Sequence, residues 1–339
     1  EKGDRVAVLD PNTHYQLEAA YGAMQIGAIH TPLNYRLLPE DYEYILSDAG
    51  IDVVFADYDF AEKIEAVRDE IPTETFITND PDSVAGEWES FDAIIEAAGT
   101  DYDRPDMAED EVITINYTSG TTGDPKGVCR THRTEHWHAL VLNQHMEITD
   151  DDHYLWTLPM FHCNGWGHTY AITGTGATHV CQRTFESADT FRRVREYDIS
   201  FLCGAPTVLN KLIQYFEDRD GDVMTTGDND VRIATAGSAP ATATLETVED
   251  EFDWRIIHIY GLTETAPTIT TSNSPRRLAE RGRDVTVVHA GFVFDPAEVD
   301  PVPPLVLSYS RQPIACEKAA EVVFGEREAE GVVPVDLDL

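Results

Sequence analysis

One run of residues concentrates groups suited to holding phosphate: Tyr117-Thr118-Ser119-Gly120-Thr121-Thr122-Gly123-Asp124-Pro125-Lys126-Gly127. Glycines let a backbone turn sharply and approach a ligand, and free amides together with four hydroxyls can surround phosphate oxygens. Lys126 adds a compact positive charge for a polyphosphate. A plain Gly/Thr surface turn would explain the flexibility, but not the hydroxyls, the lysine and the apolar strand 112–115 upstream of them. Lysine is also scarce, with Lys2, Lys63, Lys126, Lys211 and Lys318 the only five, so its presence here stands out. The run is not a Walker loop, which needs G-x-x-x-x-G-K-[ST], because Lys126 precedes Gly127.

Two neighbouring patterns carry less. Cys129, His132, His136 and His138 bunch together, but one thiol with three spaced imidazoles lacks the paired ligands of structural zinc. They read as a His-bearing helix that follows the phosphate loop. Asn116-Tyr117-Thr118 matches a glycosylation sequon but lies within the loop itself. The five cysteines (129, 163, 181, 203 and 316) show no paired spacing, which points to a reducing cytoplasm.

The elements that must position this loop follow one rhythm. Short β-rich runs at 6–9, 53–56, 75–78, 112–115, 154–158, 179–181, 199–203, 232–235 and 255–259 alternate with helical patterns such as 15–26, 41–49 and 60–70. Strands separated by helices imply a parallel α/β sheet covered on both faces, with ligands at the carboxyl ends of the strands. Residues 80–111, rich in Asp, Pro, Gly and Glu, read as a surface connection between two such units. From 284 to 339 the alternation fades and Val and Pro accumulate.

The chain has 339 residues and a net charge of −38, from 62 acids against 24 Lys and Arg. That charge disfavours nucleic acid and anionic membranes as partners, and no apolar run approaches a membrane span. The acids are spread along the whole length rather than gathered in a tail. An acidic, lysine-poor surface suits molar salt, where self-repulsion is screened within a few ångströms, and reads as halophilic adaptation. The first residue is not Met, so the sequence reads as part of a longer protein.

The phosphate loop resembles the signature of the adenylate-forming (AMP-binding) superfamily, which includes acyl-CoA synthetases, firefly luciferase and peptide-synthetase adenylation domains. Three further segments agree in order: Pro159-Met160-Phe161-His162-Cys163-Asn164-Gly165-Trp166, Gly237-Ser238-Ala239-Pro240, and Tyr260-Gly261-Leu262-Thr263-Glu264-Thr265. The resemblance covers residues 1–283 and implies two doubly wound, mostly parallel α/β subdomains of the adenylate-forming N-terminal domain. It implies activation of a carboxylic acid by ATP to acyl-AMP, followed by transfer to coenzyme A. On it, Thr118, Ser119, Gly120, Thr121, Thr122, Gly123 and Lys126 meet the phosphates, and Gly237, Ser238 and Ala239 form the adenine-contacting turn. Tyr260 stacks on the purine beside Gly261, Thr263 donates to a phosphate oxygen, and Glu264 holds Mg2+. His162 lies near the acyl carboxylate, and Trp166 takes the position of a gate tryptophan in fatty-acyl-CoA synthetases. The segment from Gly27 to Leu37 also resembles fatty-acyl and related carboxylate–CoA ligases, so a fatty or similar acid is expected.

The tail departs from the family. After Arg283 there is no Thr-Gly-Asp segment and no Gly-Lys segment of the kind that carries the usual catalytic lysine. Residues 284–339 therefore read as a shifted reading frame or a divergent replacement, which translation of the other frames would test. An adenylate-former with a different acceptor, and a nucleotide-binding chain without turnover, are the alternatives.

Overall fold

The computed structural model describes residues 1–100, 102, 104–118, 124–273, 287–290 and 305–308. The chain divides into two compact units, Glu1–Thr271 and Ser272–Leu339. The first opens with strand β1 (Arg5–Leu9), helix α1 (His14–Gln25), β2 (Ile29–Pro32), α2 (Pro39–Ala49), β3 (Val53–Ala56), α3 (Ala61–Glu65), β4 (Thr75–Thr78), β5 (Glu89–Ser90) and α4 (Phe91–Ala97). Strand β6 (Val112–Thr118) and strand β7 (Lys126–Thr131) complete the first sheet, ordered β5-β4-β3-β1-β2-β6-β7. All its pairs are parallel except β6–β7. Tyr42, Ile45 and Leu46 of α2 pack on Ala7, Leu9 and Val54 to form its core.

Helix α5 (His132–Met146) leads into the second half: β8 (His153–Trp156), the single turn α6 (Cys163–Trp166), α7 (His168–Thr175), β9 (Thr178–Cys181), α8 (Ser187–Glu196), β10 (Phe201–Cys203), α9 (Pro206–Glu217), β11 (Arg232–Thr235), α10 (Thr242–Asp250), β12 (Arg255–Gly261) and β13 (Thr268–Asn273). Here the sheet order is β13-β12-β11-β10-β8-β9, parallel from β9 through to β12. Side chains alternate between two cores, as a strand's period of two requires. Leu155, Leu202, Ile233 and Ile256 face the core shared with α8, α9 and α10. Tyr154, Phe201, Ala234 and Ile257 face the one shared with α5 and α7. Both sheets are mostly parallel and helix-covered, which is the α/β architecture expected.

Two details differ from the sequence reading. The helix that follows the phosphate run does not begin directly after it: strand β7 comes first and pairs antiparallel with β6, with Thr118 opposite Lys126. Val128 to Thr131 continue the hydrogen-bonded ladder of β6 before α5 begins, capped by the Thr131 hydroxyl. The passage between the two sheets is accordingly α5 and the residues after it, not 80–111, because β5 and β6 belong to one sheet. Within the second unit, β14 (Val287–Ala290) and β15 (Leu305–Ser308) pair in parallel. No helix among the described residues is long and apolar enough to cross a membrane.

Candidate active site

Strand order locates the crevices. In the first sheet, connections leave β1 and β3 in opposite directions, and in the second they leave β8 and β10 likewise; such switch points are where parallel α/β sheets bind ligands. The candidate residues gather on the carboxyl-end loops of β6, β8, β11 and β12. Thr118 ends β6 half-buried, and Lys126 begins β7 exposed, without an ion pair among the described residues. Ser119, Gly120, Thr121, Thr122 and Gly123 lie outside the described residues. The hairpin is tied to α2, because Tyr117 Oη donates to Asp48 Oδ2 (2.7 Å) and Tyr44 Oη donates to the Pro125 carbonyl (3.2 Å).

Strands β11 and β12 place the next two segments side by side. Thr235, the last residue of β11, lies opposite His258 of β12, so Gly237 follows β11 near the level of Tyr260, which is still within β12. Gly237, Ser238 and Ala239 are exposed, and Tyr260 is half-buried. Gly261 is dictated by close approach, since a Cβ there would sit 1.5 Å from the Pro267 carbonyl oxygen. Thr263 and Glu264 follow in a single 3-10 turn. Glu264 is exposed and unpaired among the described residues. One carboxylate beside a hydroxyl suits magnesium, which keeps its waters and draws other oxygens from phosphates. By contrast, Cys129, His136 and His138 do not converge: Cys129 and His136 are exposed and His138 is buried. Among the described residues no group of three His, Cys, Asp or Glu could hold a metal ion.

The segment after β8 has an unusual backbone. Cys163, Asn164, Gly165, Trp166 and Gly167 all have positive φ (51°, 52°, 59°, 53° and 79°), so the turn is left-handed. It closes with Trp166 N donating to the His162 carbonyl and Gly167 N to that of Cys163, both 3.1 Å. A left-handed turn costs roughly 1–2 kcal/mol per residue bearing a Cβ, so the surroundings must over-determine it. They do. Asn164 Nδ2 donates to Thr114 Oγ1 (3.2 Å) and Tyr170 Oη (3.1 Å), Thr169 Oγ1 donates to the Asn164 carbonyl, and His168 Nδ1 donates to that of Gly165 (2.9 Å). The Trp156 ring lies 2.2 Å from where a Gly165 Cβ would sit, and the His138 ring 2.3 Å from a Gly167 Cβ.

This turn fixes the two aromatic candidates and reaches the third segment. Trp166 is buried among Leu142, Met160 and Ile172. Cys163 Sγ lies 2.9 Å from Thr263 Oγ1, joining the turn to the β12 loop. His162 is exposed. Loss of water around its ring, with the Arg36 guanidinium nearby, holds it below the usual imidazole range, so it is neutral near pH 7.

Several buried polar contacts that tie the elements together, some of them away from the candidate residues, had no local signal in the sequence. Arg130 of β7 and Glu135 of α5 form a buried ion pair (Nη2 to Oε2, 2.6 Å) beside Asn116 and the Cys163 carbonyl. Burial pushes the Glu135 carboxyl up to about 7, with Arg130 opposing. Asn12, between β1 and α1, donates from Nδ2 to the Trp156 (2.8 Å) and Leu158 (2.9 Å) carbonyls and accepts from Met160 N (2.8 Å). Arg183, after β9, clamps the fully buried Asp57 after β3 through two hydrogen bonds of 2.8 and 2.6 Å. For Asn12, Asp57 and Arg183, a polar residue just past a strand's carboxyl end is the only hint; Arg130 within β7 and Glu135 within α5 offered none.

The family described as AMP-binding enzyme matches residues 1–306. The chain is 32% identical over 272 residues to 4-hydroxybutyrate--CoA ligase 2 of Metallosphaera sedula, covering 77% of this chain and 48% of that protein. It is 31% identical over 284 residues to a peroxisomal butyrate--CoA ligase of Arabidopsis thaliana, covering 79% and 49%. The chain thus spans about half the length of the curated relatives it matches. Among solved structures it is similar to a long-chain-fatty-acid-CoA ligase of Archaeoglobus fulgidus (TM-score 0.73, 25% identity, 83% of this chain and 56% of that one). It is also similar to the N-terminal domain of FACL13 from Mycobacterium tuberculosis (TM-score 0.69, 29% identity, 84% and 68%).

Proposed function

Because the chain belongs to the AMP-binding enzyme family, we propose that it activates a carboxylic acid with ATP and passes the acyl group to coenzyme A. In the first step a carboxylate oxygen attacks the α-phosphorus and the bond to pyrophosphate breaks, leaving acyl-AMP. In the second the coenzyme A sulfur attacks the acyl carbon, and AMP departs with its phosphate oxygen. The observation that carries this reading is the contact between Cys163 and Thr263, which draws the β8 and β12 loops together at the carboxyl edge of one sheet.

Each candidate takes a role in that frame. Lys126 and the 118–123 loop hold phosphate oxygens, and Thr263 donates to them. The turn at Gly237, Ser238 and Ala239 and the Tyr260 ring receive the adenine, with Gly261 keeping the backbone close. Glu264 would hold Mg2+, which neutralises charge building on the phosphates. His162, kept neutral, meets the carboxylate as a hydrogen-bonding group rather than a competing cation. Trp166 borders the acyl side, and the acid is of the fatty or similar class, consistent with relatives named for 4-hydroxybutyrate, butyrate and trans-cinnamate. Cysteines scattered without paired spacing, four of them free among the described residues, fit a cytoplasmic enzyme. Nucleotide binding without turnover is the second reading.

Two measurements in molar KCl test this. Mg-ATP should raise the melting temperature of the wild-type chain, and Lys126→Ala and Tyr260→Ala should each abolish the rise. Acid-dependent ATP–pyrophosphate exchange should then be present and fall at least about tenfold in Lys126→Ala. Binding without exchange would select the second reading, and absence of both would sink the proposal.

A further inference from the structure

Asn12 sits where the two switch points face each other. It follows β1 of the first sheet, and its carboxamide is spent wholly on the backbone that leaves β8 of the second. The side chain is buried, and its three bonds of 2.8–2.9 Å satisfy two donors and one acceptor. No other side chain supplies that set at that reach. Aspartate loses both donors and turns negative oxygen toward two carbonyls, glutamine adds a methylene, and serine is too short. The loop presenting Asn12 is itself tied down, since Thr13 Oγ1 donates to Asp10 Oδ2 at 2.7 Å.

The three groups held are the Trp156 and Leu158 carbonyls and the Met160 amide, and His162 and the left-handed turn follow within a few residues. We propose that Asn12 is a positioning residue of the adenylation site: it fixes segment 156–160, and through it His162 and the left-handed turn, against the carboxyl edge of the first sheet. The inference rests on the adenylation reading above. It makes the first sheet responsible for the acyl side of a site whose adenine side is built by the second sheet alone.

A clamp that merely joins the sheets would behave differently, and the molecule holds one for comparison. Arg183 with Asp57 also bridges the sheets, yet among the described residues neither forms a hydrogen bond or ion pair with residues 156–167. The experiment compares wild type, Asn12→Asp and Arg183→Gln by hydrogen exchange of the peptide spanning 157–167. It adds ATP–pyrophosphate exchange with hexanoate or palmitate as the acid. Asn12→Asp should lower protection of that peptide about tenfold or more and raise the KM for acid about tenfold, leaving the KM for ATP within about twofold. Arg183→Gln should lower the melting temperature and move neither readout. Unchanged protection in Asn12→Asp overturns the proposal, as does an equal rise in both KM values or lost protection with both unchanged. Should Asn12→Asp not fold, Asn12→Ser, neutral and smaller, gives the same comparison. If wild type shows no exchange, the adenylation reading fails on its own, and the peptide's protection still decides whether Asn12 holds the segment.

Discussion

Asp10 is the residue on which pH acts most directly. Its carboxyl is 1% exposed, and one of its oxygens has no partner. Burial, and secondarily Asp57, push it up to about 8. The folded chain therefore binds this proton more tightly than the unfolded chain, whose carboxyl titrates near the usual 3.8. Its contribution to stability is full below that value and is lost as pH rises through about 8. Urea unfolding at a series of pH values should show wild type losing stability relative to Asp10→Asn across that window, at up to about 1.4 kcal/mol per pH unit; parallel profiles would refute the assignment. Asp10 and Asn12 carry no local signal in the sequence, because what they serve lies far along the chain. Tyr260, Thr263 and Glu264 were singled out by the resemblance of segment 260–265 to the family, and they lie together at the end of β12 and in the turn that follows it.

Among elements, the left-handed turn is the most exacting. Gly167 combines a φ of 79° with the His138 ring where a Cβ would fall. Gly167→Ala should cost about 2 kcal/mol or more in urea unfolding. His138→Ala should relieve the collision but not the backbone conformation, so the double variant should recover only part of the loss. Full recovery would mean that the turn is not left-handed in solution. Handedness of this kind has no signature in composition: Cys163, Asn164 and Trp166 are not residues that announce a positive φ in succession. The strands were legible, since runs such as Val53-Val54-Phe55 and Ile256-Ile257 admit little else. The β6–β7 hairpin was not, because Val128 to Thr131 make a short, mixed run whose ladder depends on β6 lying alongside.

At the scale of the whole molecule, the net charge of −38 is the dominant electrostatic feature. We read it as adaptation to high salt. The melting temperature should climb on the order of 10 °C between 0.1 and 3 M KCl as self-repulsion is screened; a flat or falling curve would remove that reading. The two sheets are also consecutive in sequence, the first complete at Thr131 and the second opening at His153. Yet Asp57 meets its guanidinium only with Arg183, 126 residues later. At about 5–20 residues per second, a ribosome takes roughly 6–25 seconds to cover that distance. For that time the newly made first half carries Asp10 and Asp57 at an uncovered edge, hydrated by water that the second half must later displace. The nascent chain is thus half of an unfinished interface rather than a completed domain, and it depends on the remainder of its own translation to become dry.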